Sequence, residues 1–214
     1  FKPLPQDVEA AITPKTKWLL LNYPSNPTGS VATHAELLAL GETLLRHPHI
    51  WIMTDDIYEH LLYDGVKFWT LAQVEPRLYD RVLTVNGVSK AYSMTGWRLG
   101  FCGGPLTLIK AMSNVNTQNS GGVTTLAQAG SVAALDGPQG LLAERAEIYR
   151  QRRDYVLERL AGIPGLRCHK PQGAFYLFVN IEAFIGKTSA SGHFIASDAD
   201  FVMALIEEQH VVTV

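Results

Sequence analysis

Two short apolar runs with one capped helix pattern between them set the strongest limit on what this chain can fold into. "KWLLLN", from Lys17 to Asn22, and "IWIMTDD", from Ile50, are each short, continuous and apolar, as buried strands are, and the first ends in the turn-forming "YPSNPTG". Between them Thr33 and Glu36 make a capping box, and "HAELLALGETLLRH" continues at helical spacing to about His47. Strand, helix and strand over residues 17–55 form a βαβ unit, whose strands are parallel and whose crossover is right-handed. An α/β fold built on a mostly parallel sheet, with helices on both faces, is the expectation.

The rest of the chain extends that unit. "RVLTVNG" from Arg81 reads as a third strand and "LGFCGG" from Leu99 as a fourth. The segment between them is close to the minimum for a parallel crossover and has no helical pattern, so the fourth strand is expected to run antiparallel. Pro105 suits the first turn of a helix through "LTLIKAMSNVNTQ". "TTLAQAGSVAAL" and "PQGLLAERAEIYRQRRDYVLERL" read as further helices, with "YRQRRD" as a solvated face of the second. After "GIPG" the texture changes: "GAFYLFVNI" reads as a strand, "SDADFVMALIEEQH" as a helix opened by Ser197 or Asp198, and "VVTV" as a last strand. A domain boundary is placed near residue 150, dividing the chain into 1–150 and 151–214.

Composition narrows the function. A formal net charge of −2 and a pI near 6.4 give no electrostatic reason for a nucleic-acid or anionic-membrane partner. No apolar run approaches the roughly 20 residues of a membrane span. Cys102 and Cys168 lie too far apart for a CxxC pair and read as reduced thiols, which points to the cytoplasm. The seven histidines are scattered, without metal-ligand spacing, so no metal is expected. The chain opens without Met in "FKPLPQD", read as a Pro-rich loop, and stops in an apolar run; a longer parent protein is expected.

In open α/β sheets ligands bind beyond the carboxyl ends of the parallel strands. Here those ends lead to Asn26, to Asp55 with Tyr58 just after it, and to Lys90. A lysine with a carboxylate nearby is ordinarily a surface ion pair. Lys90 instead sits in a loop between two buried strands, the setting an amine needs to attack a carbonyl, and Arg98 suits bidentate capture of a phosphate. Lysine for an aldehyde, arginine for a phosphate and a carboxylate for a protonated ring nitrogen are the groups that pyridoxal phosphate requires.

These residues also carry a resemblance. "NGVSKAYSMTGWRLG", residues 86–100, resembles the pyridoxal-phosphate attachment site of class I aminotransferases of the aspartate and aromatic type, and "SNPTG", "DDIYE" and "GAFYLF" resemble further motifs of that family in the expected order. The resemblance implies a fold-type I large domain followed by the start of a small α+β domain. It implies that Lys90 bonds to the cofactor and moves a proton at the substrate α-carbon, and that Asp55 pairs with the ring nitrogen. Asn26 and Tyr58 would hydrogen-bond the phenolic oxygen. Arg98 would hold the phosphate with Ser89. Asp56 is left as a cap or solvated side chain, and Asn26–Pro27 is expected to be cis.

By the same resemblance Phe175 and Tyr176 line the substrate pocket, while alternation in a strand accounts for one of them as core. Tyr92 and Trp97 either pack the loop or touch the cofactor. Gly87 stands where some members have a phosphate-binding serine. The phosphate loop and the arginine for the substrate carboxylate have no match here and are expected outside the chain. The implied reaction moves an amino group from aspartate or an aromatic amino acid to a 2-oxo acid such as 2-oxoglutarate, in a homodimer when full length. A carbon–sulfur β-lyase, a pyridoxal-phosphate-sensing domain of a regulator and a non-catalytic binding protein are the competing readings.

Overall fold

The structure, a computed structural model, describes residues 1–213. By its internal contacts the chain divides into two units, residues 1–151 with 171–176, and residues 152–170 with 177–214.

In the first unit β1 (Trp18–Asn22), β2 (Trp51–Asp55) and β3 (Val82–Gly87) pair in parallel, and β4 (Gly100–Gly103) joins β3 antiparallel, in the order β1-β2-β3-β4. Asn22 is level with Asp55, and Asp55 with Val85. Because side chains alternate along a strand, Leu19, Leu21, Ile52 and Val82 share one face of the sheet. That face packs under α2 (His34–Leu45) and the short α3 (Leu71–Val74) around Leu37, Leu44, Leu71 and Leu78. Helix α2 opens as its sequence dictates: Glu36 N–H donates to Thr33 Oγ1 at 3.2 Å, and the Glu36 carboxylate accepts from Thr33 N–H at 2.8 Å. It buries Leu37, Leu40, Gly41 and Leu44, the one-sided spacing of a helix on a sheet. The opposite face carries Leu20, which is 63% exposed.

Helices α4 (Leu106–Asn119), α5 (Thr125–Asp136) and α6 (Gly140–Ala161) follow. The second unit contains the antiparallel pair β5 (Arg167–Cys168) and β6 (Val179–Asn180) and helix α7 (Asp198–Gln209), whose cap is Ser197 with Asp200.

Four expectations need correction. Residues 5–11 form a helix, α1, because Pro5 at a first helical turn costs nothing and Val8 is buried. "GAFYLFVNI" is strand only at Val179–Asn180, because Gly173 and Ala174 give their N–H groups to Gly29 O and Leu61 O instead of to a sheet. No strand forms over residues 211–213; the Val211 N–H turns back to Leu205 O to close α7, and Val214 lies outside the described residues. Within "YRQRRD", Arg153 is buried, its Nε donating to Asp154 Oδ1 at 2.8 Å.

Residues 171–176 are clamped onto the first unit. Gln172 and Gly173 N–H groups donate to Gly29 O, Tyr63 N–H to Gln172 O, and the Tyr63 hydroxyl to Ala174 O. Gly29 sits at φ +65°, and a Cβ there would overlap Pro171 Cβ and lie 2.8 Å from Gly173 O. Gly29→Ala is therefore expected to cost about 2–5 kcal/mol, from left-handed backbone strain and overpacking together. Thermal or denaturant unfolding of both proteins measures it, and an unchanged midpoint would show that the clamp yields.

Candidate active site

Lys90, Asp55, Tyr58 and Asn26 all lie on the loops and strand ends that β1, β2 and β3 bring to one level. The loop after β1 contains cis bonds at Tyr23–Pro24 and Asn26–Pro27, the second as expected. Asn22, which the motif reading passed over, holds this corner: its Oδ1 accepts from Asn26 N–H at 2.7 Å, and its Nδ2 donates to Asp55 O at 3.1 Å. Its only sequence signal is its place as last residue of a strand.

Asp55 and Asp56 point to opposite faces of β2. Asp55 is half-buried on the open face, where its Oδ1 accepts from Ile57 N–H at 3.3 Å. Asp56 is only 4% exposed, which corrects its reading as a solvated group. Burial is the main cause that pushes its carboxyl up to about 7; the negative charges of Glu59 and Asp55 add to it, while hydrogen bonds with Thr70 and Thr54 oppose it. Of the two, Asp55 alone faces the open side as an accessible carboxylate.

Tyr58 is buried in the turn after β2, with its hydroxyl 2.6 Å from that of Tyr176 and in contact with the Asn26 side chain. Burial, then the Tyr176 hydroxyl, raises its pKa well above the usual tyrosine value; Asn26 acts the other way. Phe175 meets the Tyr58 ring edge-on at 5.5 Å and stacks on Tyr149 of α6 at 5.4 Å, a partner no motif announced.

Lys90 rests against this aromatic wall, with Nζ 5.9 Å from the Tyr58 ring centre and 5.7 Å from that of Phe175. Among the described residues it pairs with no carboxylate. The loop around it is held elsewhere: Val88 and Ala91 are buried, Arg145 Nη1 donates to Ala91 O at 2.8 Å, and the Tyr92 hydroxyl donates to Gln139 Oε1 at 2.7 Å. Tyr92 is thus tied to the start of α6, and Trp97, 47% exposed, lies against Gly130 of α5. The loop is held by these hydrogen bonds, and among the described residues the Lys90 amine has no carboxylate counter-ion.

Arg98 stands apart from this group. Its backbone is left-handed at φ 52°, its Nη1 donates to Thr95 O at 3.0 Å, and its side chain lines an open cavity of about 900 Å³ with Ser93, Asn116 and Thr124. Lys90 and Asp55 are not among the lining residues. Ser89 is half-buried in the turn that presents Lys90.

The donor set fits pyridoxal phosphate. The amine of Lys90 would suit its aldehyde, the open carboxylate of Asp55 its ring nitrogen, the Tyr58 hydroxyl with the Asn26 amide its phenolic oxygen, and the exposed guanidinium of Arg98, which stands apart from the other four, its phosphate.

Comparison with known proteins places this geometry. The family model "Aminotransferase class I and II" matches residues 1–214. Over the whole chain the sequence is 52% identical to an aspartate/prephenate aminotransferase of Cereibacter sphaeroides and 52% identical to an aspartate aminotransferase of Rhizobium meliloti, covering 54% and 52% of those proteins. The crystal structure of the aspartate aminotransferase from Rhizobium meliloti superposes with a TM-score of 0.95 at 51% identity, over all of this chain and 53% of that one. An aromatic aminotransferase from Pyrococcus horikoshii gives 0.89 at 32% identity, over 100% and 54%. The chain spans about half the length of the curated relatives it matches. These names lend no support to the lyase, sensor or non-catalytic readings.

The buried Asp56 makes stability depend on pH. Its folded value near 7 lies above the unfolded 3.8, so the folded state holds this proton more tightly and its contribution to stability falls as pH rises from about 4 to 7. Asp56→Asn removes that contribution. The difference in unfolding free energy between variant and parent is expected to move in favour of the variant across this window. A difference independent of pH would show that Asp56 is ionised throughout.

Proposed function

Since the chain belongs to the class I and II aminotransferases, we propose that it carries much of the catalytic site of an enzyme that transfers the amino group of aspartate to a 2-oxo acid such as 2-oxoglutarate. The observation that carries this reading is Lys90: a half-buried amine on an aromatic wall, without a carboxylate partner among the described residues, in the loop after a parallel strand. Pyridoxal phosphate, when bound, supplies the electron sink that lets the bond between the substrate α-carbon and its hydrogen break.

This chain's residues would do the rest. Lys90 would hold the cofactor covalently until the substrate amine displaces it, and then carry the proton that leaves the α-carbon. Asp55, on the open face of β2, would keep a proton on the ring nitrogen, so that the negative charge developing in the transition state meets a fixed positive site. Tyr58 and Asn26 would bind the phenolic oxygen, and Arg98, with Ser89 and backbone N–H groups near Gly87, the phosphate. Phe175 and Tyr149 would keep water from the amine.

Aspartate as donor is supported by the names of both curated relatives. Prephenate, in the name of the Cereibacter protein, is tested as a second substrate. Apolar side chains left exposed on α4 and α5, among them Leu106, Val115 and Leu126, support a full-length protein that covers them, as in a homodimer. Together with the reduced thiols, the absence of any helix among the described residues long and apolar enough to cross a membrane fits work in the cytoplasm.

With full-length protein, pyridoxal phosphate and aspartate, oxaloacetate is expected only when 2-oxoglutarate or prephenate is present, in proportion to the acceptor consumed. Lys90→Ala should lower the rate by at least about 10³-fold. Pyruvate, ammonia and a free thiol formed from an S-substituted cysteine such as cystathionine, without an acceptor, would instead identify a lyase.

A further inference from the structure

We infer that Tyr176 is a positioning residue for Tyr58: its hydroxyl decides which way the Tyr58 proton points, and the pair reverses when Tyr58 meets an anionic oxygen. The inference rests on the cofactor reading above. Its basis is the 2.6 Å approach of the two hydroxyls, at the short end for such a bond, with Tyr58 3% exposed and Tyr176 half-buried.

A hydroxyl has one hydrogen to give and two lone pairs. Either hydroxyl of the pair can be the donor; an amide N–H of Asn26 given to the Tyr58 oxygen leaves Tyr58 its own hydrogen for Tyr176. In the absence of an anion, then, Tyr58 donates to Tyr176 and accepts from Asn26. An anionic oxygen placed before Tyr58 is a better acceptor than a neutral hydroxyl and takes that proton. The Tyr176 hydroxyl, now without a donor, turns its own hydrogen to the Tyr58 oxygen. Tyr58 then accepts from both Asn26 and Tyr176, and each accepted bond strengthens the one it donates. Only protons rotate; no bond to carbon or nitrogen changes.

Packing does not account for the hydroxyl. The Tyr176 ring packs against Phe175 at 4.7 Å and edge-on against Tyr58 at 5.8 Å, contacts a phenylalanine would keep. The segment that carries it is held by backbone bonds to Gly29 and Leu61. What the hydroxyl adds is a second donor for the Tyr58 oxygen.

The test uses full-length protein loaded with pyridoxal phosphate, as wild type, Tyr176→Phe, Tyr58→Phe and the double variant. It reads the pH midpoint at which the visible band of the lysine-bound cofactor changes. Donation to the phenolic oxygen drains charge from it and lets the proton on the lysine nitrogen leave at lower pH. Tyr176→Phe is therefore expected to raise the midpoint by about 0.5–1 pH unit, a three- to tenfold change, and to do nothing further in the Tyr58→Phe background. The double variant replaces a matched polar pair by two apolar rings and keeps the test open if one single variant is poorly stable. A midpoint that moves with Tyr58→Phe but not with Tyr176→Phe, or that moves equally in both backgrounds, would overturn the inference and leave the cofactor reading intact. No lysine-dependent band in the wild type would overturn both.

Discussion

Parallel pairing of β1, β2 and β3 ends Asn22, Asp55 and Val85 at one level, and the site depends on that level. A parallel ladder cannot slip by one residue without turning its apolar set away from α2 and α3. The same register that buries Leu21, Ile52 and Val82 therefore fixes which carboxylate is open and which is enclosed. Asp55 and Asp56 are neighbours in sequence with opposite surroundings because a strand alternates. The core thus selects which of the two carboxylates stays accessible.

Around that rim the structure spends its hydrogen bonds on backbone and leaves the amine alone. Arg145 and Gln139 anchor the loop just after Lys90, at Ala91 and Tyr92, while the Lys90 amine rests against the rings of Tyr58 and Phe175. An amine so placed is not tied to a carboxylate as it would be in a surface ion pair. The clamp of residues 171–176 on Gly29 and Leu61 completes the wall by delivering Phe175 and Tyr176.

The sheet was legible in the sequence because each strand is a short apolar run and α2 carries its own start signal. The antiparallel β4 followed from chain length alone. Lys90, Asp55, Tyr58 and Asn26 were legible because strand ends in such a sheet converge, and the motif resemblance named the same residues. The return of residues 171–176 to the first unit was not legible, since its hydrogen bonds go to loops far away in sequence and leave no periodicity. Tyr149 was hidden for a related reason: on a helix rich in charge, one aromatic residue has no pattern to mark it. Asp56 was misjudged because a buried carboxyl looks like a solvated one until its neighbours are known.

The most direct test of the account is the visible absorption of the full-length protein with pyridoxal phosphate, wild type beside Lys90→Ala, before and after aspartate. The account predicts a band that needs Lys90, that aspartate bleaches and that 2-oxoglutarate restores. A band of equal strength and stability in both proteins would contradict it, because the amine on the aromatic wall would then have no bond to the cofactor.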